Sequence, residues 1–263
     1  MNNSIVERRP VSFALGTLGF IIALTVVSQV VLEALFPRLT GDGVALVINW
    51  IYVALSIALV AWLGWWSKIR LTARVNRGAL VYLLPLSALV LLPVAFGLSL
   101  PEVSLVEGVT LPDWAVLVTI VFGVALGAGV AEELLYRGVL LRALEPRGRL
   151  FAAVLTGVLF GLTHFSRVVL GASVEEWVLG VVLQLPLAIG LAAVAFRLDS
   201  LWPLVVWHVA VDITLTMVAT ASTTYVLAFL GLSALIGVMG LWLLWQDRRA
   251  TRRADTESVP GGT

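Results

Sequence analysis

Long apolar runs constrain the fold of this chain more than any other feature of its sequence. A helix that crosses the hydrocarbon core of a bilayer needs about 20 mostly apolar residues. Backbone amides have no water to bond with there, so each run must satisfy its own hydrogen bonds as a helix. We predict eight such spans, over residues 11–36, 44–66, 79–100, 114–141, 150–166, 177–196, 201–219 and 224–246.

These runs predict an all-α fold, a polytopic helical bundle of about eight transmembrane helices. The bundle forms one domain over residues 1–246, and its motif-bearing core covers about residues 114–220. The polar residues 247–263 are expected to form a disordered cytoplasmic tail, because they offer little apolar surface to bury.

The composition favours a membrane protein over a soluble one. Charged residues make up 13% of the chain and hydrophobic residues 60%, whereas soluble domains are about 25% charged. The chain has no cysteine, which excludes disulfides, thiolate metal sites and a cysteine nucleophile. The net charge of +1 gives no indication of a nucleic-acid partner, so membrane lipids are the expected surroundings.

Basic residues in the predicted loops indicate how the chain is oriented. Loops on the cytoplasmic side of a membrane carry an excess of Lys and Arg. The eight spans place fourteen of the 17 basic residues on one side, together with both termini. We therefore expect an integral membrane protein with cytoplasmic termini. The short loops favour a prokaryotic plasma membrane.

The span at residues 114–141 contains three ionisable residues, Glu132, Glu133 and Arg137. A charged residue at mid-bilayer costs about 2.5–3.5 kcal/mol on insertion scales, so such residues usually mark a functional site. Glu133 and Arg137 are four residues apart, which suits an ion pair on one helix face. Glu132 points about 100° away and stays free for chemistry or for another helix. The alternative is that both acids only fix helix packing.

The only two histidines lie on other predicted spans, and His208 has Asp212 four residues after it. A buried glutamate near a histidine can take a proton from water, and a second histidine can donate to an oxyanion. The set of Glu132, His164, His208 and Asp212 also consists of metal-ligand types, so a divalent metal such as zinc is an open alternative. Each histidine alone could equally make an ordinary interfacial or interhelical contact.

Three short motifs follow one another on successive apolar segments. Together they resemble the CPBP family of intramembrane proteases, also called Abi or CAAX-protease-like proteins, whose eukaryotic relatives are type II CAAX prenyl endopeptidases. The motifs are Glu-Glu-x-x-x-Arg at Glu132, Glu133 and Arg137, Phe-x-x-x-His at Phe160 and His164, and His-x-x-x-Asn/Asp at His208 and Asp212. The first three spans carry no such motif.

The resemblance implies an intramembrane endopeptidase that acts on a peptide or protein substrate, which in this family can be lipid-modified. Glu132 with His164 would activate water, and His208 with Asp212 would stabilise the oxyanion. Glu133, Arg137 and Phe160 would support the site. The family is commonly labelled as metalloproteases, but a metal-free glutamate mechanism has also been proposed for it.

Asp212 departs from the family, which often has asparagine at this position. An ionised aspartate accepts hydrogen bonds but cannot donate them, so it would repel an oxyanion. Either burial keeps Asp212 protonated, or Asp212 orients His208 or a metal.

Two other functions remain open from the sequence. A non-proteolytic scaffold or bacteriocin-immunity protein would use the same fold for binding. A proton-coupled transporter would use the acids and histidines as a relay, although no paired interrupted spans indicate inverted repeats.

Overall fold

The computed structural model describes residues 3–219 and 222–257. Within these ranges the chain forms twelve α-helices with short 3₁₀ and π segments, and two isolated β-bridges, so the predicted all-α polytopic bundle is confirmed. The α-helices are α1 (Asn3–Arg8), α2 (Pro10–Leu35), α3 (Gly41–Leu63), α4 (Leu83–Phe96), α5 (Asp113–Val118), α6 (Leu126–Glu132), α7 (Leu141–Leu144), α8 (Arg149–Thr163), α9 (Phe165–Val169), α10 (Val174–Leu198), α11 (Trp202–Thr216) and α12 (Thr223–Glu257).

Local sequence signals fix several helix ends. The Thr40 side chain caps α3 by accepting a hydrogen bond from the Gly43 amide at 3.2 Å, and Gly64 ends the helix in the left-handed conformation. Ser173 caps α10 in the same way. These caps satisfy amides that a helix start would otherwise leave without a partner.

Seven helical segments in the described part of the chain have the length and composition to cross a bilayer. They are Pro10–Leu35, Gly41–Leu63, Arg77–Phe96, Asp113–Arg147, Arg149–Val169, Val174–Leu198 and Thr223–Ala250. The seventh predicted span, residues 201–219, corresponds to α11, which has 15 residues and a length of about 22 Å. By helix length, therefore, the prediction of eight spans is corrected to seven long helices and one short one.

The short helix α11 nevertheless runs between the two ends of the bundle. At one end the Leu201 amide donates to the Arg70 carbonyl at 3.1 Å. At the other end the Ala219 amide donates to the Gly97 carbonyl at 3.1 Å, just after α4 ends. The chain leaves the helix at Met217, and Val218 forms an isolated β-bridge with Leu98, so the apolar run of 19 residues gives a helix of only 15.

The fourth span, Asp113–Arg147, is not the continuous α-helix that its sequence predicts. Two π-helical segments, Thr119–Ala125 and Glu133–Leu140, interrupt it. A π segment widens the helical turn and occurs most often at functional sites. The second segment begins at Glu133, so the distortion falls on the acidic motif itself.

A loop closes the end of the bundle beneath this span. Ile69 is 1% exposed and packs in a cluster with Trp65, Leu134, Val139 and Leu201. This apolar cluster fixes the loop that follows α3 against the fourth span and the start of α11.

The last helix extends further than expected. It reaches Glu257, where the sequence predicts a disordered tail from residue 247, and residues 258–263 lie outside the described part of the chain. Arginine, alanine and glutamate in this stretch are good helix formers. Asp247 also holds the helix through ion pairs with Arg149 at 2.9 Å and Arg197 at 2.5 Å.

Candidate active site

Glu133 and Arg137 form a buried ion pair at the start of the second π segment. Arg137 Nη1 lies 3.1 Å from Glu133 Oε1, and the two side chains are 2% and 0% exposed. Arg137 Nη1 makes no well-aligned hydrogen bond, so the contact is mainly an attraction of charges. The four-residue spacing thus produces the ion pair that the sequence predicts.

His208 joins this pair from α11. Its Nδ1 lies 2.8 Å from Glu133 Oε1. Its Nε2 lies 3.5 Å from Glu132 Oε2 and 3.6 Å from Asp212 Oδ2. Carboxylates therefore face both ring nitrogens, an arrangement that an imidazolium with two N–H donors satisfies.

Glycine allows the two helices to come close enough for these contacts. A Cβ atom added to Gly129 would lie 3.1 Å from Val209 Cγ2 and 3.5 Å from His208 Cβ. Any larger residue at Gly129 would push α11 away from the fourth span. Because Gly129 has no side chain, α11 lies close enough for His208 to contact the two glutamates.

Glu132 faces a cavity, in contrast to its buried neighbour. Its side chain is 28% exposed and lines a space of about 730 Å³ between α2, α3, α6 and α8. His164, Tyr136 and Phe160 line the same cavity. One carboxylate is thus held by charge pairs inside the protein, while the other is available to a ligand.

His164 lies where α8 ends. Its Nδ1 is 3.0 Å from the Phe160 carbonyl oxygen, so an Nδ1–H can donate there and leave Nε2 as an acceptor. The Phe160 ring meets the His164 ring edge-on at 5.2 Å, and the Arg137 guanidinium lies 5.0 Å from the Phe160 ring centre. Phe160 therefore supports both the histidine and the buried arginine.

The structure brings most of the predicted site residues together. Glu132, Glu133, Arg137, His208 and Asp212 form one contact cluster. Phe160 connects His164 to this cluster, because its ring contacts both the His164 ring and the Arg137 guanidinium. His164 also lines the cavity that Glu132 faces.

Comparison with protein families bears on this arrangement. Residues 112–214 match the family described as Rce1-like, Type II CAAX prenyl endopeptidase Rce1-like. These residues, called the Rce1-like region below, are similar to that family. The match includes every predicted site residue and confirms the resemblance to the CPBP family, which is a family of proteases. No curated protein matches the chain.

The Rce1-like region also lies in an integral membrane protein, given the seven long apolar helices around it. At the level of the family, the match supports a CAAX-type intramembrane protease, which implies a peptide or protein substrate.

The site residues do not fit a metal ion as they are arranged. Among the residues that the structure describes, no group of three or more histidine or acidic side chains could hold one. His208 Nδ1 is taken up by Glu133, and His164 is separate from the carboxylate cluster. The metal set of Glu132, His164, His208 and Asp212 stays a prediction from the resemblance.

Sequence reasoning missed one wall of the site, which lies outside the Rce1-like region. Asn49 and Tyr52, on α3, line the same cavity as Glu132. Polar residues spaced three and four apart within an apolar span would have indicated this helix face.

Proposed function

We propose that the chain is an intramembrane endopeptidase of the CAAX-processing type. The observation that carries this proposal is that two adjacent glutamates have different surroundings. Glu133 is buried and paired with Arg137 and His208, whereas Glu132 faces a cavity that it shares with His164. A carboxylate and an imidazole in one cavity are the groups that activation of water requires.

In the proposed reaction, Glu132 takes a proton from a water molecule that the His164 Nε2 orients. The water oxygen bonds to the carbonyl carbon of the peptide, and the carbonyl oxygen becomes an oxyanion. When the carbon–nitrogen bond breaks, Glu132 returns the proton to the leaving amine. The proton that water gave up thus ends on the amine.

His208 is suited to stabilise the oxyanion. Its Nε2 makes only long contacts, at 3.5 and 3.6 Å, to Glu132 and Asp212. An Nε2–H donor in weak contacts can turn to a stronger acceptor as charge develops. Glu133 fixes the other side of the ring through the 2.8 Å contact to Nδ1.

Asp212 is proposed to orient His208. Its Oδ2 faces Nε2 of the histidine at 3.6 Å. This contact favours the orienting role over that of an oxyanion donor, for which a protonated Asp212 would be needed.

The substrate is proposed to be a peptide or protein with a lipid modification, cut in the cytoplasmic half of the bilayer. The depth of Glu132 along its span supports this depth of cutting: it lies ten residues, or about 15 Å, from the basic end at Arg142. With both termini in the cytoplasm, as the loop charges favour, that end is the inner one.

Comparison of peptide termini tests the proposal. Membranes from cells with the wild-type protein, Glu132→Ala or Glu33→Ala would be analysed at matched expression. Glu33 is a matched control, because it is a glutamate on α2 that is exposed and bonded to Gln29. We expect termini that are present with wild type and Glu33→Ala but missing with Glu132→Ala.

Identical termini in all three membranes, with the cellular phenotype kept by Glu132→Ala, would refute proteolysis and favour the scaffold or immunity function. Uptake into vesicles that depends on a pH gradient would favour the transporter instead.

A further inference from the structure

A polar stripe runs along one face of α3. It consists of Asn49, Tyr52 and Ser56, which share a face because they are three and four residues apart. The outer two bond to the backbone of the fourth span. Asn49 Nδ2 donates to the Gly123 carbonyl and Ser56 Oγ to the Ala131 carbonyl, each at 3.3 Å. The stripe therefore faces the helix that carries Glu132.

Tyr52 differs from the other two residues of the stripe, because its hydroxyl does not bond to the fourth span. It lies next to the Thr25 hydroxyl of α2, and both hydroxyls reach the Ile21 carbonyl oxygen, Thr25 at 2.9 Å and Tyr52 at 3.3 Å. The two hydroxyls have only two hydrogens for these three contacts. Thr25 makes the shorter contact and satisfies the carbonyl, so the Tyr52 hydroxyl can turn to another acceptor without leaving that oxygen unsatisfied.

Tyr52 and Glu132 line the same cavity, Tyr52 from α3 and Glu132 from α6. A peptide bound against Glu132 would therefore also come within reach of Tyr52. Most other polar side chains that line the cavity from α2 and α3 already donate to partners within the protein; they are Thr17, Thr25, Gln29, Asn49 and Ser56.

We propose that Tyr52 is a substrate-positioning residue, which donates a hydrogen bond to a backbone carbonyl of the peptide bound over Glu132. On binding, the hydroxyl exchanges the Ile21 carbonyl for the substrate carbonyl. This role rests on the proposed function and extends the site to α3, outside the Rce1-like region. The competing role is purely structural, a clasp in which Tyr52 holds α2 against α3.

Two variants separate these roles. Both Tyr52→Phe and Thr25→Val remove the contact between the two hydroxyls, but only Tyr52→Phe removes the donor that meets the substrate. Thr25→Val keeps the Tyr52 hydroxyl within reach of the Ile21 carbonyl. Ser56→Ala, on the same stripe, removes a bond to the fourth span and serves as a second control. Cleavage by the purified proteins would be measured in lipid nanodiscs, and only variants whose melting temperatures match that of the wild type would be compared. The probe is an internally quenched peptide that ends in a farnesylated CAAX sequence.

We expect Tyr52→Phe to raise KM by about 2- to 12-fold, the range for one lost neutral hydrogen bond, with little change in kcat. Thr25→Val should leave KM near the wild-type value, because Tyr52 keeps the hydroxyl that meets the substrate. Ser56→Ala should leave KM unchanged. Anisotropy of a dye-labelled copy of the probe, measured in the Glu132→Ala background, should give the same order of affinities without turnover.

Equal KM values for wild type and Tyr52→Phe would overturn the proposal, as would equal increases in Tyr52→Phe and Thr25→Val, which indicate a clasp. A wild-type protein that neither cuts nor binds the probe would overturn it as well. If the proposed function itself is wrong, Glu132→Ala would keep its activity, whatever the effect of Tyr52→Phe on KM.

Discussion

Removal of Glu133 should destabilise the protein far more than removal of its neighbour Glu132. Glu133 is 0% exposed and is the counter-ion of Arg137, which is 2% exposed. Glu133→Ala leaves a buried guanidinium without its partner, which costs about 3–5 kcal/mol. It also removes the 2.8 Å contact to His208 Nδ1. Water cannot replace either contact at this burial.

This loss corresponds to a fall in Tm of about 6–20 °C, at about 2–4 °C per kcal/mol for a chain of this size. Glu132 is 28% exposed and lines the cavity, so Glu132→Ala should lower Tm by no more than about 2 °C while it abolishes activity. Glu133→Gln should fall between the two, because its amide oxygen still accepts from His208 but carries no charge.

The assay is thermal unfolding in detergent or nanodiscs, followed by the fluorescence of the ten tryptophans. Similar Tm values for Glu133→Ala and wild type would refute the reasoning, since the buried charge would then have another way to be neutralised. So would a fall in Tm that is as large for Glu132→Ala as for Glu133→Ala.

Three further predictions concern the site and the packing around it. Asp212→Asn should keep activity within about tenfold in a cleavage assay, because the amide oxygen can still face His208 Nε2; a complete loss would show that the charge is required. His208→Gln should lower kcat by about 10²–10³-fold, the effect of removing one oxyanion donor, and near-wild-type turnover would exclude that role. Gly240→Ala should lower the free energy of unfolding by about 1–3 kcal/mol, because its Cβ would lie 2.7 Å from Gly190 Cα. Gly231→Ala should not destabilise the protein, because a Cβ at Gly231 would have nothing within 4 Å. Equal Tm values for the two variants in thermal unfolding would contradict this packing.

Helical spacing within one segment predicted the local contacts of the site. Glu133 meets Arg137, and His208 meets Asp212, because residues four apart on a helix share a face. This geometry depends on the backbone of a single helix, so the sequence determines it directly. Charged residues are scarce in the other apolar spans, so these motifs were easy to find.

Contacts between helices were harder to predict. The approach of His208 to both glutamates depends on a close crossing at Gly129, and the wall formed by Tyr52 depends on how α2 and α3 lean together. The sequence indicates that these residues are polar or small, but the crossing itself is a tertiary property. The continuation of α12 likewise depends on ion pairs of Asp247 with two distant arginines.

The π segments of the fourth span give the site a tolerance to chain length. A π turn accommodates one more residue than an α turn, and each residue of an α-helix turns the chain by about 100°. A single-residue deletion between Thr119 and Ala125 that converts the π turn to an α turn would therefore leave Glu132 facing the cavity. The same deletion in a regular α-helical part of the span would instead rotate Glu132 by about 100°. Relatives with the same motifs and a one-residue gap within the π segment would therefore keep the geometry of the site as well as its signature.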